Sequence, residues 1–213
     1  MKTNYKILGV GHPRTGTGYT ASLLNHLGLK VGHEKLMDDG IVAWQMLLPF
    51  EHFDKVGLPW IKSIDIKWSE LSFDHIVYNV RNPKHSIPSI LGTENCSSRF
   101  RSQIADFTNT KNRTEQTIAS LVGFDSTIKE KYNSHFVYRV EDQEHLLRNY
   151  VLDKYSITNN KKIKEPAKNC NTRKNRKNYL EPKLSFENVR DEYITMLEKY
   201  CIEYGYDTKF LYE

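Results

Sequence analysis

Short apolar runs alternate along the chain with stretches whose apolar residues recur every three or four positions. Tyr5–Val10 is a short apolar run ending at Gly11, the pattern of a buried strand. Tyr19, Leu23, Leu24 and Leu27 follow at helical spacing, and Gly28 closes that helix. A second extended piece starts at Leu29, and Ile41–Leu48 reads as a helix stopped by Pro49. His75–Val80 (HIVYNV) and His135–Val140 (HFVYRV) read as strands, with helices expected at Ser86–Leu91, at Glu115–Tyr132 and after Asp142. The last helix takes Ser185 as N-cap, carries Val189, Tyr193, Met196, Leu197, Tyr200 and Tyr204 on one side, and ends at Gly205. No internal repeat interrupts the series. Strands separated by helices imply βαβ units. The expected fold is therefore one α/β domain over residues 1–213, a three-layer α/β/α sandwich around a mainly parallel sheet.

Composition narrows the class. At 38% hydrophobic and 27% charged, the chain is neither a membrane protein nor wholly disordered. The longest apolar stretch lies within Ile41–Phe50, too short for a membrane span. The start, Met1 to Lys6, does not read as a signal or transit peptide. Cys96, Cys170 and Cys201 are scattered without metal-ligand spacing. The expectation is a cytoplasmic protein with reduced thiols and no bound metal. The net charge of +5 invites an anionic partner. That charge is concentrated: residues 161–177 (KKIKEPAKNCNTRKNRK) carry +7, which leaves −2 for the rest. Composition reads this segment as a solvated, mobile loop, spanning about 158–183, rather than a nucleic-acid arm.

The first strand runs into Gly11-His12-Pro13-Arg14-Thr15-Gly16-Thr17-Gly18, and a helix follows. A strand, a glycine-bearing loop and a helix N-terminus form an anion site, because backbone N–H groups and the helix dipole point at the ligand. Gly11-x4-Gly16 has the spacing of a nucleotide-binding P-loop, so the architecture expected is P-loop NTPase-like. The lysine that should follow is absent, and the cation sits inside the loop as Arg14. The strand His75–Val80 ends in Arg81, where a magnesium-dependent kinase would place an acid. One fixed cation without a metal post suits transfer of a group less charged than a phosphoryl group.

With the second motif, Arg81-Asn82-Pro83-Lys84-His85-Ser86-Ile87-Pro88-Ser89, the chain resembles the sulfotransferases that use 3′-phosphoadenosine 5′-phosphosulfate (PAPS). Their first signature reads roughly P-K-S-G-T-T-W after the first strand, and this chain has Pro13-Arg14-Thr15-Gly16-Thr17-Gly18-Tyr19. Their second is a strand ending in R-[ND]-P-x5-S, matched from Arg81 to Ser89. The resemblance implies that Pro13, Arg14, Thr15, Gly16, Thr17 and Gly18 shape the cradle for the 5′-phosphosulfate, and that Arg81 and Ser89 hold the 3′-phosphate. Departures are Arg14 for Lys, Gly18 for Thr, and Tyr19, which the resemblance would have stack on adenine where cytosolic members place a Trp. It also implies that Arg173-Lys174 is part of a lid over the nucleotide, with Asn175 where Gly is usual. The dimerisation motif of the cytosolic animal enzymes is absent, so no oligomeric state is implied.

Sulfuryl transfer to a hydroxyl or amine needs a base near the acceptor. Gly32-His33-Glu34, with Asp39-Gly40 and Trp44 after it, resembles a subgroup of bacterial-type sulfotransferases, and Glu34 is the expected base, then His33, then His12. Trp44, Met46, Phe50, Phe53 and Trp60 are wall material for an acceptor pocket, but their spacing reads first as core, and the acceptor, carbohydrate among the classes, is not specified. Two other readings stay open. One is a P-loop kinase with a displaced cation. The other is a non-enzymatic nucleic-acid-binding protein using residues 161–177.

Overall fold

A computed structural model describes residues 2–48, 68–93, 100–134, 136–157 and 182–212. Five strands form one parallel sheet: β1 (Thr3–Val10), β2 (Val31–His33), β3 (Gly40–Val42), β4 (Leu71–Val80) and β5 (Phe136–Arg139), in the order β2-β3-β1-β4-β5. Among the described residues five α-helices accompany them: α1 (Thr17–His26), α2 (Pro83–Leu91), α3 (Arg113–Lys131), α4 (Glu144–Tyr155) and α5 (Asp191–Glu203).

Side chains alternate across the sheet as strand geometry requires. Ile7, Val42, Val77 and Tyr138 point to one face and pack with Leu23 and Leu24 of α1, Leu27 at its C-cap, and Leu147 and Val151 of α4. Leu8, Val10, Ile41, Tyr78 and Val80 point to the other, against Phe124 and Ile128 of α3. A third cluster joins α2, α3 and α5 through Ile87, Ile118, Leu121, Leu197 and Tyr200. Both faces are covered, which makes the three-layer α/β/α arrangement. Helices α1 and α5 end where the glycine spacing places them. Gly28 (φ 96) and Gly205 (φ 69) take left-handed conformations, and the amides of Leu29 and Tyr206 reach back to Leu24 and Cys201.

Two elements differ from expectation. Ile41–Leu48 is not a helix: β3 ends at Val42, and a 3-10 turn follows over Trp44–Leu47. The connection from β2 to β3 is only residues 34–39, unusually short for parallel neighbours. It suffices because each strand is three residues long, so the chain needs to return only about 10 Å. Asp39 pins the return by accepting from the Lys30 amide at 2.7 Å and pairing with Lys6 Nζ at 2.7 Å. The last helix starts at Asp191 rather than just after Ser185. Ser185 Oγ accepts instead from the Glu187 amide (3.3 Å), within a turn that carries Asn188 at φ 63.

The chain leaves β1 toward β3 and β2 on one side and takes up β4 and β5 on the other. The direction reverses between β1 and β4. In open parallel sheets that crevice, at the carboxyl ends of the strands, is where ligands bind.

Candidate functional site

The loop from Gly11 to Gly16 sits at this crevice, and buried polar groups hold its shape. His12 is 2% exposed. Its Nδ1–H donates to the Pro13 carbonyl (2.5 Å), so Nε2 is the acceptor for the Ser120 hydroxyl (2.7 Å), and Phe124 packs edge-on to the ring. Burial first, then the charge of Arg101, pushes its pKa down to about 3. His12 is therefore a neutral strut of the loop, with both ring nitrogens engaged, and it leaves the candidate bases. Thr15 also turns inward: its hydroxyl donates to the His12 carbonyl (2.7 Å), and Asn79 Nδ2 donates to both Thr15 oxygens (3.0 Å each). Asn79, fully buried near the end of β4, touches the loop so closely that a Cβ on Gly11 would lie 2.6 Å from its Nδ2. Only a glycine fits there. Gly16 (φ 101) takes the left-handed turn into α1, and no described side chain caps that helix. Its first-turn amides, Thr17 and Gly18, thus face the loop mouth as donors. Tyr138 and Thr20 brace the turn from beneath, with Thr20 Oγ1 3.1 Å from the Gly16 carbonyl and 2.6 Å from Tyr138 Oη.

The fold brings the two sequence motifs into contact. Arg14 (φ 83) projects across the crevice, and its Nε donates to Ser89 Oγ on α2 at 3.0 Å. Arg81, just past β4, donates from Nη1 to the Arg14 carbonyl at 3.0 Å. Asn82 caps α2 through its side chain, placing Pro83 at the first helical turn, so that Ser89 comes round to face Arg14. From β5, Glu141 accepts the Asn82 amide (2.9 Å) and the Tyr206 hydroxyl (3.3 Å), with Arg81 Nε 3.9 Å away. Asp142 is paired with Arg139 at 2.6 Å. The acidic residues past β5 are thus engaged with the backbone, a tyrosine and arginines.

The other side of the loop carries the expected base. His33 ends β2 with Nε2 3.2 Å from Thr17 Oγ1 and 3.9 Å from Glu34 Oε1. Glu34 (φ 57) accepts Trp44 Nε1–H at 2.7 Å. Both side chains keep some exposure, 32% for His33 and 25% for Glu34. The pKa of His33 is lowered chiefly by burial; Glu34 offsets part of that, and Arg14 adds to it. Trp44 is fixed by Phe100 and Phe124, so it belongs to the core and to the site wall at once.

Of the expected residues, Arg14, Gly16, Thr17, Gly18, His33, Glu34, Arg81 and Ser89 gather around one crevice. Pro13 supplies the carbonyl that orients His12. Tyr19 does not offer a face to a base: it is 9% exposed, packed in the core with α4, and its hydroxyl donates to Glu144. Arg173 and Lys174, with Phe50, Phe53 and Trp60, lie outside the described residues. Asn79 and Ser120, which hold the loop from below, carry no motif signal. The sole hint of Asn79 is a polar residue at an inward position of a strand. Among the described residues, no three His, Cys, Asp or Glu side chains gather to hold a metal ion, and no helix is long and apolar enough to cross a membrane. No family profile, curated protein or solved structure matches this chain.

Proposed function

We propose that the protein transfers a sulfuryl group from PAPS to a hydroxyl or amine, releasing adenosine 3′,5′-bisphosphate. The observation that carries this reading is the meeting of Arg14, Arg81 and Ser89 at the β1/β4 crevice. They form a pair of arginines with a hydroxyl, all donors, beside a helix N-terminus. That donor set fits a ligand with anionic groups at two places. It also fits better than a kinase site would, because the acids past β5 already have partners.

In this reading the α1 amides and Thr17 hold the 5′-phosphosulfate, while Arg81 and Ser89 take the 3′-phosphate. Thr15 helps only through backbone and shape, since its hydroxyl is committed inward. With Gly18 lacking a hydroxyl, the cradle depends more on Arg14. The acceptor oxygen or nitrogen attacks sulfur while the bond from sulfur to the bridging phosphate oxygen breaks. Arg14 stabilises the charge that builds on that oxygen. Glu34, held by Trp44, takes the acceptor's proton.

The test is calorimetric binding of adenosine 3′,5′-bisphosphate to the full chain. Binding is expected to be insensitive to chelator and to weaken at least tenfold in Arg81→Ala. A nucleotide site that needs magnesium, or an Arg81→Ala variant that binds normally, would overturn the reading. Salt-steep binding of DNA or RNA without nucleotide binding would favour residues 161–177 as the functional segment.

A further inference from the structure

His33 occupies an unusual place if Glu34 is the base. Its Nε2 points at Thr17, the first residue of α1, rather than away from the loop. It therefore stands at the edge of the anion cradle, near enough to Arg14 to feel its charge. We propose that His33 is a proton-switched ligand of the anion, neutral in the free protein and protonated when the nucleotide's 5′-phosphate enters, so that nucleotide binding takes up a proton. This rests on the nucleotide reading above.

The charges around the imidazole set the direction. From the phosphate loop, Arg14 repels a protonated ring; from its own loop, Glu34 attracts one; and Thr17 on α1 and Trp44 bring no charge. In the free protein partial burial and Arg14 together outweigh Glu34. An entering phosphate group brings up to about two negative charges into the same space. It neutralises Arg14 and offers an acceptor to Nε2–H, so both changes favour the imidazolium. Once protonated, His33 can no longer accept a proton from the acceptor. The two adjacent residues then divide the work: His33 binds the donor, and Glu34 remains the base.

The experiment is calorimetry of adenosine 3′,5′-bisphosphate binding near neutral pH, in buffers of different ionisation enthalpy, on wild type and His33→Gln. The ligand's own phosphates titrate near pH 6, so the readout is the difference in proton uptake between the two proteins. Wild type should take up a larger fraction of a proton. Its affinity should also fall more steeply with rising pH, by up to about tenfold per unit where one full proton is linked. Equal uptake in the two proteins would overturn the proposal while leaving the functional reading intact. Wild type that fails to bind the nucleotide would overturn both. If His33→Gln does not fold, the wild-type His33 ring proton signal, followed by NMR against pH, should show a higher midpoint with nucleotide than without. An unmoved midpoint would count against the switch.

Discussion

At the scale of single residues, the loop owes its shape to side chains that point away from any ligand. Asn79 donates twice to Thr15, and His12 bridges Pro13 and Ser120. Each buried hydrogen bond contributes roughly 1 kcal/mol net. Asn79→Ala removes two and opens a small void, so it should lower stability by about 2 kcal/mol in urea unfolding. It should also weaken adenosine 3′,5′-bisphosphate binding, because Thr15 and Arg14 lose their support. Full affinity in a destabilised variant would mean that the loop holds its form without Asn79. Trp44→Phe is a narrower change. It removes the indole N–H from Glu34 and keeps the packing against Phe100 and Phe124. Nucleotide affinity should stay within about twofold of wild type, since the aromatic contacts persist and the lost bond serves Glu34 alone. A large loss of affinity would show that Trp44 supports the donor cradle directly.

At the scale of elements, the joint between α3 and α5 depends on one buried carboxylate. Glu115 has no exposed side-chain surface and accepts from the Arg190 amide, Arg190 Nε and Nη2, and the Lys111 amide. The Arg190 hydrogen bond outweighs the cost of burial and holds the carboxyl at about 2. Glu115→Gln should cost roughly 3 kcal/mol, and Arg190→Met more, because it strands a buried charge. Denaturant melts of the two variants test the order; the reverse order would mean that Glu115 is solvated. This joint escaped sequence reading, which placed the start of the last helix at Ser185. Ser185 is a good N-cap residue type, but Arg190, whose amide and guanidinium donate to Glu115, takes the N-cap position and the helix starts at Asp191. β3 escaped for a different reason: three residues, Gly40–Val42, are too few to show alternation, and the apolar residues after them mimic helical spacing. The longer strands β1 and β4, the glycine-closed helices and the strand–loop–helix turn after β1 were legible, because each has a local physical signature. What brings Arg14 to Ser89 is strand order, and a single sequence does not carry that.

At the scale of the whole molecule, the buried titratable groups predict how stability responds to acid. His12 is neutral in the fold, with a pKa near 3 against an ordinary 6.5. The unfolded chain therefore binds a proton at His12 that the native state refuses. Its contribution is complete above pH 6.5 and is lost as pH falls toward 3, at up to about 1.4 kcal/mol per unit. His33 acts in the same direction, more weakly because it is partly exposed. Glu115, lowered from 4.5 to about 2, adds its own loss only below pH 4.5. Between pH 6.5 and 4.5 His12 thus contributes more to the slope than His33 or Glu115. His12→Asn, which keeps a donor for the Pro13 carbonyl, should be less stable than wild type at pH 7, and its stability should fall markedly less steeply in that window. Below it, where Glu115 also titrates, both proteins should lose stability. The positive charge that the chain gains as its other histidines and carboxylates protonate is common to the two proteins, so it cancels in the difference. Urea unfolding at half-unit steps of pH would decide the matter. Parallel curves for wild type and variant would mean that His12 takes a proton without breaking the loop, and that the Gly11–Gly16 loop is softer than its hydrogen bonds imply.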